Sequence, residues 1–189
     1  MKKQMTKNDL KLLLRENKEL MEILGIVQEL SLKDSWVAAG AVRNVIWNTL
    51  SGKAGFDWNS DVDLVFFDPN MTYGDSLKIE EELNKRYPIY QWQVRNQVHM
   101  HRHNPKTAPY LSACDAISKY PETFTSIALR LQGDELDLFA PYGIEAILTF
   151  ECHPTPYFLE NPERMAIYRK RFLQKNWRQK WPHLTFFED

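Results

Sequence analysis

Asp61 and Asp63 stand two residues apart at the head of the apolar run Leu64-Val65-Phe66-Phe67, which Asp68-Pro69-Asn70 brings to a stop. Such a run of β-branched and aromatic residues predicts a strand. Side chains alternate between faces along a strand, so the two aspartates point the same way. Two carboxylates on one face can grip a hard divalent cation, or two cations sharing a site. The same pair also suits a plain, hydrated strand end, because like charges side by side repel unless something positive offsets them.

A second chemistry-bearing stretch lies just upstream. Trp36-Val37-Ala38-Ala39 is a short apolar run ending at Gly40, and Val42, Val45, Ile46 and Leu50 follow at helical spacing. The spacing predicts a strand, a tight turn at Gly40 and a helix over 41–50. Glycine lets an anion approach the backbone with no Cβ in the way. The first N–H groups of a helix are unpaired and carry partial positive charge, which suits phosphate. Arg43 in the first turn can add a charge-assisted fork. For Gly40, at the end of one strand, to lie beside Asp61, at the start of the next, the two strands must run antiparallel. The polar loop 51–60, with Lys53 and Ser60, is short enough to allow it.

Three further features bear on the site. Asp137 lies in Leu136-Asp137-Leu138, the second arm of a hairpin whose turn is Gly133-Asp134; Gly-Asp between alternating apolar runs is a hairpin signal. A charge in mid-strand is costly unless paired or bound to a metal, so Asp137 is the candidate third carboxylate, the alternative being an edge-strand residue facing water. His99, His101 and His103 alternate and would share a strand face; zinc ligation, a polar strand end or a phosphate contact all fit. Finally, Asn161-Pro162 opens a helix to about residue 180 that carries seven Lys or Arg from Arg164 to Lys180 with no acid between them. That face is either solvated or a grip on RNA or another polyanion.

The elements that must position these groups follow from periodicity. Thr6 and Asp9 resemble a capping box, and the leucines and methionine after them predict one amphipathic helix over 7–30. A surface helix is expected over 76–86, a strand over 90–98 with Gln91, Gln93 and Arg95 on one face, and a short helix over 112–120. The 189 residues, 43% hydrophobic and 26% charged with a net charge of −1, place the chain among ordinary globular proteins and say nothing for or against a polyanionic partner. Cys114 and Cys152 are far apart and form no metal-ligand pair, which fits a reduced, cytoplasmic setting. The lysines at positions 2 and 3 precede no apolar stretch, so no signal peptide is expected, and no run approaches a membrane span.

Taken together, the strand-Gly40-Ala41-helix turn, Ser60-Asp61-Val62-Asp63-Leu64 and Leu136-Asp137-Leu138 resemble the nucleotidyltransferase superfamily of polymerase beta and the tRNA nucleotidyltransferases. Over 32–184, with Trp92-Gln93-Val94-Arg95-Asn96-Gln97, the segment 136–143 and the closing Trp177 to Pro182 as landmarks, the chain is most similar to a bacterial nucleotidyltransferase-like family with no assigned substrate. The resemblance implies an α/β (α+β) fold: a mixed twisted sheet flanked by helices, in one domain over 1–189 with its core about 32–150 and the basic helix about 162–180 appended. It implies Mg²⁺, or Mn²⁺, held by Asp61, Asp63 and Asp137. It implies an NTP, ATP in the first instance, with contacts at Gly40, Ala41, Arg43, Lys53 and Ser60, and transfer of its nucleoside monophosphate to an acceptor hydroxyl with release of pyrophosphate. The acceptor is left open, nucleic acid included. Position 41 is Ala where the superfamily carries Gly or Ser, which removes a hydroxyl from the phosphate turn and leaves nucleotide binding without turnover as the alternative.

Overall fold

The computed structural model describes residues 5–189; most of the lysine-led start lies outside them. Its frame is a five-stranded mixed sheet in the order β3-β2-β1-β4-β5, built from β1 (Trp36–Ala38), β2 (Asp61–Phe66), β3 (Gln91–Asn96), β4 (Ala128–Gln132) and β5 (Glu135–Phe139). β1 runs antiparallel to β2 with Ala38 opposite Asp63, as the placement of Gly40 beside Asp61 requires. β2 and β3 are parallel with Asp63 opposite Gln93, and β4-β5 is the expected hairpin, turned through Gly133 at φ 61°.

One face of the sheet is apolar. Val37, Val62, Leu64, Phe66, Trp92, Val94, Leu129, Leu136 and Leu138 join one core with residues of the flanking helices. Those helices begin with α1 (Lys7–Arg15) and α2 (Lys18–Glu29), followed by α3 (Gly40–Leu50). The expected single helix over 7–30 is therefore two. Asn17 leaves helical geometry and its side chain accepts a hydrogen bond from the Leu20 N–H, capping α2. The Thr6–Asp9 capping box does form and opens α1.

The edge strand β3 is closed off by α4 (Tyr73–Arg86), whose Thr72–Asp75 capping box starts it three residues before the expected position. Asn84 both donates to the Trp92 carbonyl and accepts from its N–H, and Glu80 accepts from the Val94 N–H. Two side chains thus satisfy the backbone groups that an edge strand leaves free. Beyond Asn96, whose side chain accepts from the Val98 N–H, the chain tightens into a 3-10 turn over Gln97–His103. His99, His101 and His103 therefore do not alternate on a strand, and the face-sharing expected of them is not formed.

The opposite face of the sheet is partly covered by α5 (Ala113–Ser118), with Trp36, Ala38, Val65, Ala113, Ile117 and Ala128 in a second, smaller core. The remaining chain comprises α6 (Glu145–Leu148), β6 (Glu151–Cys152), α7 (Pro156–Leu159), α8 (Pro162–Lys175), α9 (Trp177–Lys180) and β7 (Thr185–Phe186), with β6 and β7 paired in parallel. Asn161 caps α8 as expected. The basic helix does not run on to residue 180, because Asn176 turns left-handed at φ 49° and separates α8 from α9.

Neither terminal segment is an appendage. Leu10 and Leu14 of α1, Met165 and Tyr168 of α8, and Trp177, Trp181 and Leu184 belong to the main core. Trp47 of α3 lies at its centre, 4.7 Å from Phe124, 5.1 Å from Phe150 and 4.9 Å from Trp181 between ring centroids. Trp181 is 1% exposed and donates its indole N–H to Asn48. Replacing it with Ala should cost about 3–5 kcal/mol, read as a lower urea midpoint of equilibrium unfolding.

Candidate nucleotide site

β1 ends at Ala38 and the chain must reverse at once into α3. The reversal falls on Ala39, at φ 51° and ψ −116°, a conformation that costs an L-residue energy and that the packing around it must hold. The Ala39 N–H donates to the Ile127 carbonyl, and its own carbonyl accepts the first helical bonds from Val42 and Arg43. The turn is thus one residue earlier than the sequence suggests, and Gly40 is the first residue of α3. Gly40 keeps the turn close to Ser60: a Cβ there would stand 3.1 Å from the Ser60 hydroxyl oxygen, which would have to give way slightly, and 3.8 Å from Arg43.

Gly40, Arg43, Ser60, Asp61 and Asp63 open onto one cavity of 540 Å³. Its floor is the sheet face carrying Asp61, Asp63 and Val65 of β2 and Gln93 and Arg95 of β3. His103, Asn104 and Tyr120, with Ile167, Arg171 and Lys175 of α8, complete its lining. Ala41 is buried in the main core and does not line the cavity. The hydroxyl beside the turn is that of Ser60.

The electrostatics are uneven. Asp61 is exposed at the strand's start and Asp63 lies deeper. Burial pushes the Asp63 carboxyl up to about 6 and the charge of Asp61 adds to this, while Lys175, Arg43 and Arg95 oppose it. Arg43 is 7% exposed, and burial lowers its guanidinium to about 10. Its direct hydrogen bonds go to a neutral group, Asn44 Oδ1, from Nε at 3.0 Å and Nη2 at 2.7 Å, while the charges of Glu122, Asp63 and Asp57 partly offset the effect of burial and that of Arg171 adds to it. Four rings, those of Trp47, Phe124, Trp177 and Trp181, lie 5.3–5.6 Å from its Cζ. A buried cation caged by rings, with no carboxylate in ion-pair contact among the described residues, is a ready receptor for an anion.

Besides Ala41, two of the expected site residues lie elsewhere. Asp137 shares the sheet face of Asp61 and Asp63 but sits on β5, three strands from β2, or about 14 Å across the sheet. It does not line the cavity. Its carboxylate accepts from Nε and Nη2 of Arg130, directly opposite on β4, at 3.1 and 3.0 Å. Arg130 in turn stacks over Trp36 at 4.0 Å. The third-carboxylate expectation is corrected on this geometry: the charge in mid-strand is balanced by an arginine. Lys53 is corrected likewise; it donates to the Lys180 carbonyl and ties the 51–60 loop to α9.

The sequence reading did not bring Arg95, Arg171 or Lys175 to the nucleotide site, although it named the last two among the cations that could grip a polyanion. Each required knowing which distant segments meet, although Ile167, Arg171 and Lys175 do fall at i, i+4 and i+8 on one face of α8. Of the three histidines, His103 reaches the cavity, while His99 contacts the Met71 carbonyl and His101 packs edge-on against Tyr110. Among the described residues no group of three or more His, Cys, Asp or Glu comes close enough to hold a metal ion.

Comparison with known proteins fits this fold and cavity. A family model described as nucleotidyltransferase matches residues 25–186, and the chain belongs to that family. A solved NMR structure described as revealing a CCA-adding enzyme head domain superposes with a TM-score of 0.92 at 47% identity, covering 99% of this chain and 98% of that one. A structure described as a tRNA-processing enzyme in an apo form superposes at 0.50 with 16% identity; it covers 100% of this chain but 46% of that one and shares the fold alone. A search of curated proteins finds no match. The class is that of nucleotidyl transfer, which generally works with divalent metals and a nucleotide partner. Among the described residues no helix is long and apolar enough to cross a membrane.

The raised carboxyl of Asp63 has a measurable signature in the metal-free protein. A carboxyl whose folded value exceeds its unfolded one adds stability at low pH that is lost as pH rises through the folded value, here about 6. Asp63→Asn, neutral throughout, should therefore be more stable than the parent above pH 6, and the advantage should shrink between pH 6 and 4. Urea midpoints across that range check it.

Proposed function

We propose that this protein transfers a nucleoside monophosphate from an NTP, ATP in the first instance, to an acceptor hydroxyl. In the transfer the acceptor oxygen bonds to the α-phosphorus, the bond from that phosphorus to the bridging oxygen breaks, pyrophosphate leaves, and the hydroxyl proton is released. The supporting observation is convergence: two carboxylates, a helix N-terminus and a ring-caged guanidinium with no ion-pair partner among the described residues face one cavity.

The roles follow from chemistry and position. The first N–H groups of α3 and the Ser60 hydroxyl offer donors to phosphate oxygens, and Gly40 lets those oxygens approach. Arg43 supplies a fixed positive charge that loses no solvation when the anion arrives, because the aromatic cage has already removed water. The all-oxygen donor set of Asp61 and Asp63 suits Mg²⁺, or Mn²⁺, which commonly takes one or two protein carboxylates and fills its remaining positions with water and phosphate. When bound there, the metal would neutralise charge on the attacking and leaving oxygens. The absence of a hydroxyl at position 41 does not count against turnover, since Ala41 faces the core and Ser60 stands beside the turn.

The basic C-terminal stretch supports this reading over an RNA grip. Several of its cations have partners within the chain: Arg164 on the carbonyls of Pro105, Lys106 and Tyr157, Arg169 on Glu188, Arg178 on the Leu184 carbonyl and Lys180 on Asp57, while Arg171 and Lys175 turn to the cavity.

The test is pyrophosphate release from each NTP with Mg²⁺ across a panel of hydroxyl acceptors, small molecules and RNA 3′ ends included. Asp61→Asn and Asp63→Asn should each lower the rate by roughly 10³-fold, the loss of several kcal/mol of charge stabilisation. Asp137→Asn should leave it within about twofold, because that carboxylate answers only to Arg130. NTP binding by calorimetry without release over the whole panel would favour a nucleotide-binding protein instead.

A further inference from the structure

Glu122 is 0% exposed, and a carboxylate so deeply buried demands a partner. It has one in Arg171: Nε donates to Oε1 at 2.8 Å and Nη2 to Oε2 at 3.3 Å. The Thr125 hydroxyl lies 2.8 Å from Oε2 and 2.9 Å from the Glu122 carbonyl oxygen, and its proton is shared between them. Arg171 is gripped along one edge of its guanidinium. The donors of Nη1 and one of Nη2 stay free of Glu122, and the side chain lines the cavity. Burial works against its charge, but the charge and hydrogen bonds of Glu122 outweigh this and hold it above its ordinary value.

One helical turn on, Lys175 also lines the cavity and its charge acts on Asp63. Lys175 is exposed and makes no ion pair among the described residues. α8 therefore presents a rigid fork and a mobile point charge to the same cavity as Asp61, Asp63 and the α3 N-terminus.

We infer that this part of the lining is a second anion-binding arm taking the phosphate tail of the nucleotide beyond the reacting α-phosphate, with Arg171 and Lys175 as its ligands and Glu122 as the positioning residue that keeps Arg171 aimed. The inference deepens the nucleotidyl-transfer reading and rests on it. Its ligand class is a di- or triphosphate chain, with or without a nucleoside. Arginine suits this position because its planar fork meets two phosphate oxygens at once, which lysine cannot do.

The test compares binding of ATP, AMP and inorganic tripolyphosphate to the full chain by calorimetry with Mg²⁺ present. Arg171→Lys and Lys175→Met should each weaken ATP and tripolyphosphate about tenfold or more, the loss of one charge-assisted contact. AMP affinity should stay within about twofold. Glu122→Gln should weaken ATP comparably and raise KM more than it lowers kcat, and adding it to Arg171→Lys should cost little more, since the two act as a unit. Should Glu122→Gln unfold, Lys175→Met, on an exposed side chain, and the paired Arg171→Gln/Glu122→Gln variant carry the same comparison. Unchanged ATP affinity in Arg171→Lys and Lys175→Met, or equal losses for ATP and AMP, overturns the arm. Failure of the parent protein to bind ATP while tripolyphosphate binding is lost in Arg171→Lys overturns the nucleotide reading and keeps the arm; failure to bind either ligand overturns both.

Discussion

A buried positive charge organises this molecule. Arg43 must sit in the first turn of α3 to face the cavity, and there it loses its water. Exposed to an apolar interior alone, a guanidinium would be intolerable. Four aromatic rings and the Asn44 carboxamide make it tolerable without neutralising it, each desolvated ring contact contributing up to about 2 kcal/mol. The rings come from three places: Trp47 from α3 itself, Phe124 from the segment before β4, and Trp177 at the start of α9 with Trp181 just after its end. The last part of the chain is therefore a structural partner of a residue near its beginning. That dependence explains why Lys53 and Lys180 are used as ties rather than as ligands: Lys53 holds α9 through the Lys180 carbonyl, and Lys180 reaches back to Asp57.

The other charges at the cavity follow a different rule. Arg95 is held from behind by Glu80, and Arg171 by Glu122, so each pair is close to neutral before any ligand arrives. The unbalanced groups are Arg43 and Lys175 on one side and Asp61 and Asp63 on the other. Asp63 shows the strain of this arrangement in a carboxyl raised by burial and by Asp61. A polyanion accompanied by divalent cations satisfies both sides at once: its phosphates answer the unpaired cations and its metals answer the unpaired acids. The site is poised against itself until such a ligand binds, which is the usual cost of preorganised electrostatics.

What the sequence made legible was whatever short-range geometry decides. Period-two alternation gave β2 and the shared face of Asp61 and Asp63, and the length of the α3 connection gave the antiparallel pairing that brings Gly40 to Ser60. The break at Asn17 was hidden because Leu14 and Leu20 bury on the same core, so the apolar pattern runs across two helices as if they were one. The histidine triplet misled for a related reason: alternation survives on paper where Asn96 has already ended the strand. Glu122, within Pro121-Glu122-Thr123-Phe124-Thr125, carries no pattern at all. Its burial is a consequence of Pro154 and Arg171 arriving from far along the chain.

Asp137 is the instructive case, because its true partner was within reach of sequence reasoning. A hairpin turned at Gly133-Asp134 sets residues whose numbers share one sum opposite each other: Gln132 with Glu135, hence Arg130 with Asp137. Cross-strand pairs of opposite charge are the ordinary way a sheet accommodates a charge on one face. Leu-Asp-Leu looks the same whether the aspartate meets a metal or an arginine, so the motif alone cannot choose; the register can. Applied to β2, the same reasoning favours a ligand. The residues directly opposite Asp63 in the sheet are Ala38 and Gln93, neither of which carries a charge, and of the cations it does feel, Arg95 on β3 is already held by Glu80 while Arg43 and Lys175 line the cavity without an ion pair to Asp63 among the described residues. A carboxylate with no neutralising partner directly opposite it in the sheet, beside a second carboxylate and lining a cavity with unpaired cations, is placed for something that enters the cavity.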